Sequence, residues 1–491
     1  MSLRLYNTRT RRVEPFTPLR DREVRMYVCG LTPSAEAHVG HARSFLFFDV
    51  MRRFLAHRGY RVTYVQNVTD IDDRTIRRAN ETGESVQQVV EELYSSFKTS
   101  MRTLGVRDPD HEPYATQFIE AIVRMIAQLL ENGHAYVTKA GVYYRVSTFP
   151  RYGALAHRNV DELRAGARIE IDEYKEDPLD FALWKFAKPR EPFWSSPWGN
   201  GRPGWHIECS AMSHALLDPE GRGFDIHGGG ADLIFPHHEN EIAQSEPLMA
   251  HPPMANFWVH GGLLLYEGRK MSKSLGNFEP LSDLLQRHDP QAIRLLFLQT
   301  GYRKVMNFTE DSLSGATTVL ERLKKAYREL WTSDAEPETI PASLLQRVGE
   351  ALDDDMNTAV ALAAVLDFAN SAPRHEHGSR ARAGLFSEYA YALDLLGITP
   401  NERWLEQSKV VLAPGFLDRL REALANVEIH GTKLTLDGAS AESAIEEMIR
   451  LRAQARTEKD WATSDRLRDA LLQCGVELKD AKGQTTWNPV G

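Results

Sequence analysis

The sequence predicts a multidomain α/β protein built on a parallel sheet, and three observations predict it. A strand, helix, strand rhythm opens the chain between residues 24 and 68. The α/β pattern returns between 205 and 262, and from about Leu313 the chain reads as helical. Its 491 residues exceed what one hydrophobic core accommodates, so several domains are expected.

Taken in order, Val24 to Gly30 alternates like a buried strand and ends in a glycine turn. From about Gly40 to Arg58, Phe45, Phe48, Met51 and Leu55 recur at helical spacing, and Gly59 closes the helix. Arg61 to Val68 is a second strand, which completes a βαβ unit. Such a unit makes the sheet parallel and puts ligands at the strands' carboxyl ends, where Cys29, His38 and Thr69 fall. Residues 116–204 are rich in aromatics, proline and charge, lack this rhythm and read as an insertion. It resumes with Phe224–His227 and Asn256–Val259 as strands and Pro236 in the first turn of a helix. Val319, Leu320, Leu323, Tyr327 and Leu330 share one apolar helical face. Thr332 to Thr339 and Pro373 to Gly384 read as loops. A last small unit begins near Gln407 and ends in a helix around Ser464 to Gln473 and a hairpin over Val476 to Trp487.

Composition bounds the function classes. A 42% hydrophobic and 26% charged chain is ordinary for a soluble globular protein. No apolar run reaches membrane-spanning length, and Met1-Ser2-Leu3-Arg4 does not read as a secretion signal, so a cytoplasmic location and no membrane partner are expected. Three cysteines, Cys29, Cys209 and Cys474, make no disulfide framework and suit a reducing compartment. Cys474 sits with Leu467, Ala470 and Leu471 on an apolar helix face and reads as core. The formal net charge of −9 argues against indiscriminate coating of nucleic acid but leaves room for a local basic surface.

Four motifs carry chemistry. Lys270-Met271-Ser272-Lys273-Ser274 places two ammonium groups and two hydroxyls beside Gly268 and Gly276, a cationic loop suited to a polyphosphate. His38-Val39-Gly40-His41 lies at a strand-to-helix turn, where a helix N-terminus attracts phosphate, Gly40 permits close approach of a nucleotide, and two imidazoles can donate to phosphoryl oxygens. His227 to Asp232 follows a strand; its glycines admit a nucleotide and Asp232 can accept from ribose hydroxyls. Pro236-His237-His238-Glu239-Asn240-Glu241, with Cys209 and Cys29, offers two thiolates, an imidazole and a carboxylate, a donor set that suits Zn²⁺. Glu241 is one helical turn from both His237 and His238, so spacing leaves the choice of histidine open. No Walker-type phosphate loop is present.

Together these residues resemble the class I aminoacyl-tRNA synthetases, whose two signatures appear here as His38–His41 and Lys270–Ser274. The finer resemblance is to bacterial cysteinyl-tRNA synthetases. It rests on Asn67 to Asp73, Pro203 to Met212, Phe224 to Glu241 and Asp353 to Thr358. The resemblance implies ATP-dependent activation of L-cysteine to cysteinyl-adenylate, transfer to the 3′ end of cysteine tRNA, and release of AMP and pyrophosphate. It implies one Zn²⁺ per chain on Cys29, Cys209, His237 and Glu241, and ATP with Mg²⁺ as substrate. Catalysis would fall to His38, His41, Lys270 and Lys273, with Gly40, Gly230 and Asp232 also on ATP. Gly30, Thr32, Asn67, Thr69 and Trp205 would line the substrate pocket.

The domains implied are the two halves of a Rossmann-like catalytic domain at 1–115 and 205–262 and a connective insertion at 116–204. A signature-loop and tRNA stem-contact region at 263–312, a helical bundle at 313–406 and an anticodon-recognition unit at 407–491 complete them, in a monomer. Arg450, Arg452, Arg456, Arg466 and Arg468, with Trp487, are the candidate RNA contacts of that last unit.

Two departures from the family pattern stand out. The loop before the first signature is Thr32-Pro33-Ser34-Ala35-Glu36-Ala37 where many relatives carry Tyr-Asp, and Asn488 follows Trp487 where an arginine is expected. Three rivals compete: a ligase joining cysteine to an amino sugar, a non-catalytic RNA-binding paralogue, and a zinc hydrolase. Glu241 and the C-terminal unit favour tRNA over the first. Retained signatures weigh against the second. The Lys270–Ser274 loop weighs against the third.

Overall fold

The computed structural model describes residues 2–489 except 160–161, 163–173, 271–278, 333–335, 338–342, 373–374, 376–377, 406–414, 425–427, 430–431, 434–440 and 482–483. The chain divides into two compact units, Met1–Leu405 and Glu406–Gly491. No helix among the described residues is long and apolar enough to cross a membrane.

In the first unit a hairpin of β1 (Arg4–Asn7) and β2 (Arg12–Pro15) precedes β3 (Glu23–Leu31), α1 (Val39–His57) and β4 (Arg61–Val68), the expected βαβ unit. Helices α2 (Asp73–Thr82), α3 (Val86–Thr103) and α4 (Ile119–Glu131) follow. A four-stranded antiparallel sheet comes next: β5 (Ala135–Val137), β6 (Gly141–Tyr144), β7 (Phe181–Phe186) and β8 (Gly201–Pro203). Then come α5 (Trp205–Leu217), β9 (Phe224–Gly230), α6 (Glu239–Ser245) and β10 (Ala255–Gly261). The central sheet has the order β10-β9-β3-β4, all parallel. Alternation along β3 sends Met26 and Val28 to the core beneath α1, and Tyr27 and Cys29 to the core beneath α5 and α6.

A small sheet, β12-β11-β13, joins β11 (Leu264–Tyr266), β12 (Arg269–Lys270) and β13 (Met306–Phe308) around α7 (Leu281–Arg287) and α8 (Pro290–Leu298). The helical part is α9 (Glu310–Leu330), α10 (Ser343–Asp353), α11 (Thr358–Ser371) and α12 (Arg380–Leu395).

The second unit holds α13 (Phe416–Leu424), β14 (Glu428–Ile429), β15 (Thr432–Lys433), α14 (Ala441–Thr457), α15 (Trp461–Gln473) and the hairpin of β16 (Val476–Ala481) and β17 (Gln484–Pro489). Cys474 lies in its core with Leu467, Ala470 and Leu471, as the helical spacing implied.

Four local expectations are corrected. The strand expected over Phe224–His227 runs on through Gly230, and Phe48 from α1 fills the space beside Gly228, where a Cβ would lie 2.5 Å from its ring. Pro236 does not open a regular helix. The chain winds irregularly over Ile234–His238 with Phe235 extended, and α6 begins at Glu239. The loop read over Pro373 to Gly384 ends early, since Ser379 caps the N-terminus of α12 and Arg380 to Gly384 are helical. Helix α15 likewise starts at Trp461, three residues before the expected Ser464, because the Asp460 carboxylate caps it.

Candidate active site

The parallel strands end at Leu31, Val68, Gly230 and Gly261. At that edge lies a cavity of about 330 Å³, whose wall includes Cys29, Gly30, Thr32, His38, Gly40, His41, Trp205, Gly230 and Asp232. Asn67 and Thr69 are buried behind the wall. The Asn67 side-chain carbonyl accepts the Gly30 N–H at 2.9 Å, and its amide donates to the Thr69 hydroxyl at 3.3 Å.

The first signature builds the start of α1. His38 is the N-cap, its Nδ1 accepting the Gly40 N–H at 3.1 Å, while His41 Nδ1 accepts the His38 N–H at 3.2 Å. This reciprocal box leaves each ring proton on Nε2. The rings stack at 3.8 Å. Burial lowers the pKa of both, that of His41 to about 3 with help from His38 and Arg74, so both stay neutral donors at physiological pH. Of the second signature, Lys270 ends β12, its backbone paired with Leu265; Met271, Ser272, Lys273 and Ser274 lie outside the described residues.

Beneath Trp205 the metal-type donors converge. Cys29, Cys209, His237 and Glu241 each offer a ligand atom within 4.8 Å of the others, and all four are buried. The two sulfurs are 3.8 Å apart, Cys29 Sγ is 3.5 Å from Glu241 Oε1, and His237 Nε2 is 3.1 Å from the same oxygen. Trp205 stacks on His237 at 4.4 Å. Cys29, His227, His238 and Glu241 form a second set by the same measure. Burial raises the Cys29 thiol. Burial would lift Glu241 too, but His227 and His237 outweigh it and hold the carboxyl at about 2. Two thiols and a carboxylate packed this closely, out of water, are an arrangement that a cation relieves. Its soft sulfur donors with one imidazole and one carboxylate fit Zn²⁺.

Apart from His238, which spacing offered as an alternative ligand, sequence reasoning gave no role to the surrounding imidazoles. His206 Nδ1 meets His237 Nδ1 at 2.9 Å, and His227 Nε2 meets Glu241 Oε2 at 2.9 Å. His238 spans Cys29 (3.3 Å) and His260 (2.7 Å), and His260 reaches the Thr8 hydroxyl at 2.8 Å. These pairings join residues far apart in the chain, so no spacing reveals them. Arg74 was also missed: it lines the cavity with its guanidinium over Trp205 at 5.7 Å.

In the second unit Arg452 is buried, which corrects its reading as RNA-facing, while Trp487 packs against the core and stays partly exposed. Arg450, Arg456, Arg466 and Arg468 are exposed. The exposed tryptophan there is Trp461, at 58%.

Comparison with known proteins decides the family. The model of the "tRNA synthetases class I (C) catalytic domain" matches residues 15–318, a DALR domain matches 347–398, and the "cysteinyl-tRNA ligase anticodon binding domain" matches 440–487. A cysteine–tRNA ligase of Methylococcus capsulatus is 46% identical over 99% of both chains. One from Ectopseudomonas mendocina is 45% identical, again over 99% of each. The chain belongs to the cysteinyl-tRNA synthetase family. The catalytic match of that family spans both signatures and all four donors of the Cys29 to Glu241 set. Among solved structures, the methionyl-tRNA synthetase of Mycobacterium tuberculosis shares the fold. It has a TM-score of 0.53 at 15% identity, with 76% of this chain and 89% of that one covered.

Proposed function

We propose that this protein activates L-cysteine with ATP and transfers it to the 3′ end of cysteine tRNA, working as a cytoplasmic monomer. The observation that carries the reading is that one cavity runs from the neutral histidine pair of α1 to Cys29 and Trp205, and that Cys29 belongs to a buried two-thiol, imidazole, carboxylate cluster. The histidine end suits phosphates and the sulfur end suits a thiol. Cys29, Cys209, His237 and Glu241 would hold one zinc ion, with His206 and His227 orienting His237 and Glu241 from outside. Bound there, zinc supplies affinity for a thiolate that a serine hydroxyl cannot match, where shape alone separates such near-isosteres by only about two powers of ten.

The chain's own residues do the rest. Trp205 covers His237, and Gly30, fixed by Asn67, leaves the strand edge bare for the amino acid. His38 and His41 donate Nε2–H to phosphoryl oxygens, Asp232 accepts from the ribose, and Lys270 and Lys273 balance the charge of ATP with its Mg²⁺. The cysteine carboxylate attacks the α-phosphate in line, pyrophosphate leaves, and the terminal tRNA ribose then takes the cysteinyl group and releases AMP. No protein nucleophile is needed. We assign residues 407–491 to anticodon recognition. The amino-sugar ligase is not favoured, since the relatives match over the full length. Purified protein charged with cysteine tRNA tests the choice: aminoacylation is expected, and exchange of pyrophosphate into ATP without charging would restore the amino-sugar reading.

A further inference from the structure

One buried cation beside the histidine pair has no part in the steps above. Arg43 lies two residues past His41 on α1 and is 5% exposed. Its guanidinium donates to the backbone carbonyls of Gly262 at 3.0 Å, Leu263 at 2.9 Å and Lys304 at 2.6 Å, with those of Gly301 and Tyr302 at 3.4 and 3.5 Å. These carbonyls belong to two segments that pass each other between β10, β11 and β13. They pass so closely that a Cβ on Gly262 would lie 2.5 Å from the Lys304 oxygen. Converging buried carbonyls are costly unless donors saturate them. A guanidinium spreads its N–H groups over two terminal nitrogens and spans both segments, whereas an ammonium is a single point. Burial lowers the Arg43 pKa to about 10, so it stays charged at neutral pH. One turn along α1, Phe47 stacks on Tyr302 at 4.0 Å, docking the same helix on the same segment.

The crossing joins the two sides of the nucleotide cavity. On one side α1 begins at the histidine pair. On the other, Gly262, Leu263 and Leu264 line the cavity, and β11 pairs with β12, which ends at Lys270. We propose that Arg43 is a positioning residue for adenylate formation. It fixes segment 262–264, and the hairpin that segment feeds, against the helix carrying His38 and His41. The inference rests on the synthetase reading. Arg43 acts on the nucleotide end of the cavity and leaves the sulfur end untouched.

Cysteine-dependent exchange between ATP and pyrophosphate, run on the full zinc-loaded chain, tests it with wild type, Arg43→Ala, Arg43→Lys and Gly262→Ala. The expected result for all three variants is a loss of about 10- to 100-fold in kcat/KM for ATP. Zinc content and the equilibrium affinity for cysteine should stay within twofold of wild type. Gly262→Ala should share the pattern because its methyl pushes the carbonyls off the guanidinium, and with Arg43→Lys it carries the test if Arg43→Ala does not fold. Exchange within twofold of wild type in Arg43→Lys and Gly262→Ala, or cysteine affinity falling in step with exchange, overturns the proposal. Absence of exchange in the wild type is a different result: it removes the synthetase reading itself, and this proposal with it.

Discussion

Gly30→Ala is the most informative single methyl to add. Gly30 lies at the end of β3, where pairing with β4 slips between Val28 and Leu31. A Cβ there would sit 1.7 Å from the carbonyl oxygen of Asn67 and 2.8 Å from its carbonyl carbon. Both obstacles are backbone, so no side chain can swing away. One strand end has to retreat by about 1.3 Å to restore a 3.0 Å approach. The movement stretches the Gly30 N–H to Asn67 bond, and it shifts Cys29, one residue back, relative to Cys209 and Glu241. Overpacking of this kind costs about 1–3 kcal/mol of stability. A misplacement of about 1 Å at a reacting geometry costs roughly 100-fold in rate. Denaturant unfolding should report the first, and cysteine-dependent ATP–pyrophosphate exchange a loss near the second. A Gly30→Ala enzyme that exchanges within twofold of wild type would refute the argument that this edge forms the floor of the pocket.

Other substitutions separate the parts of the account. Cys209→Ser should abolish bound zinc and cysteine binding while leaving the fold intact; metal analysis showing one zinc per chain in that variant contradicts the donor set. Asp73 is half-exposed between Lys185 and Arg202. Burial alone would raise its pKa, but the two cations outweigh that and hold it at about 2. Its contribution is therefore present above its ordinary value near 3.8 and lost as pH falls toward 2. Unfolding titrations should show wild type and Asp73→Asn converging only in that acid window, and a constant difference across it would be the wrong result. Trp461→Ala should leave exchange unchanged and weaken tRNA charging by an amount corresponding to about 1–3 kcal/mol of base stacking. Equal charging by both proteins would show that the exposed Trp461 ring does not stack on the tRNA.

The βαβ start was legible nearly to the residue, because both faces of β3 are buried and Gly59 stops α1. Glycine was where local reasoning failed. The strand read over Phe224–His227 runs on through Gly228 to Gly230, and Phe48, distant in sequence, occupies the space of the side chain that Gly228 lacks. The onset at Pro236 failed for a similar reason: proline suits a first turn, but extended Phe235 delays the regular helix to Glu239. Of the site, the residue types of the donor cluster were readable and its choice of histidine was not. The fold brings both candidates to Glu241. They differ in what holds the other ring nitrogen, His206 for His237 and His260 for His238. Arg43 gave no sequence signal at all, since its partners are main-chain carbonyls that any residue supplies.

The proposed chemistry requires that a cysteine-selective sulfur site and a nucleotide site meet in one cavity. Its most direct test compares cysteine with serine in ATP–pyrophosphate exchange by the purified protein, before and after chelation of its metal. Exchange with cysteine is expected, with a preference over serine well beyond the roughly hundredfold that shape alone provides, and with loss of that exchange on chelation. No exchange with cysteine, or a preference that chelation leaves unchanged, would contradict it.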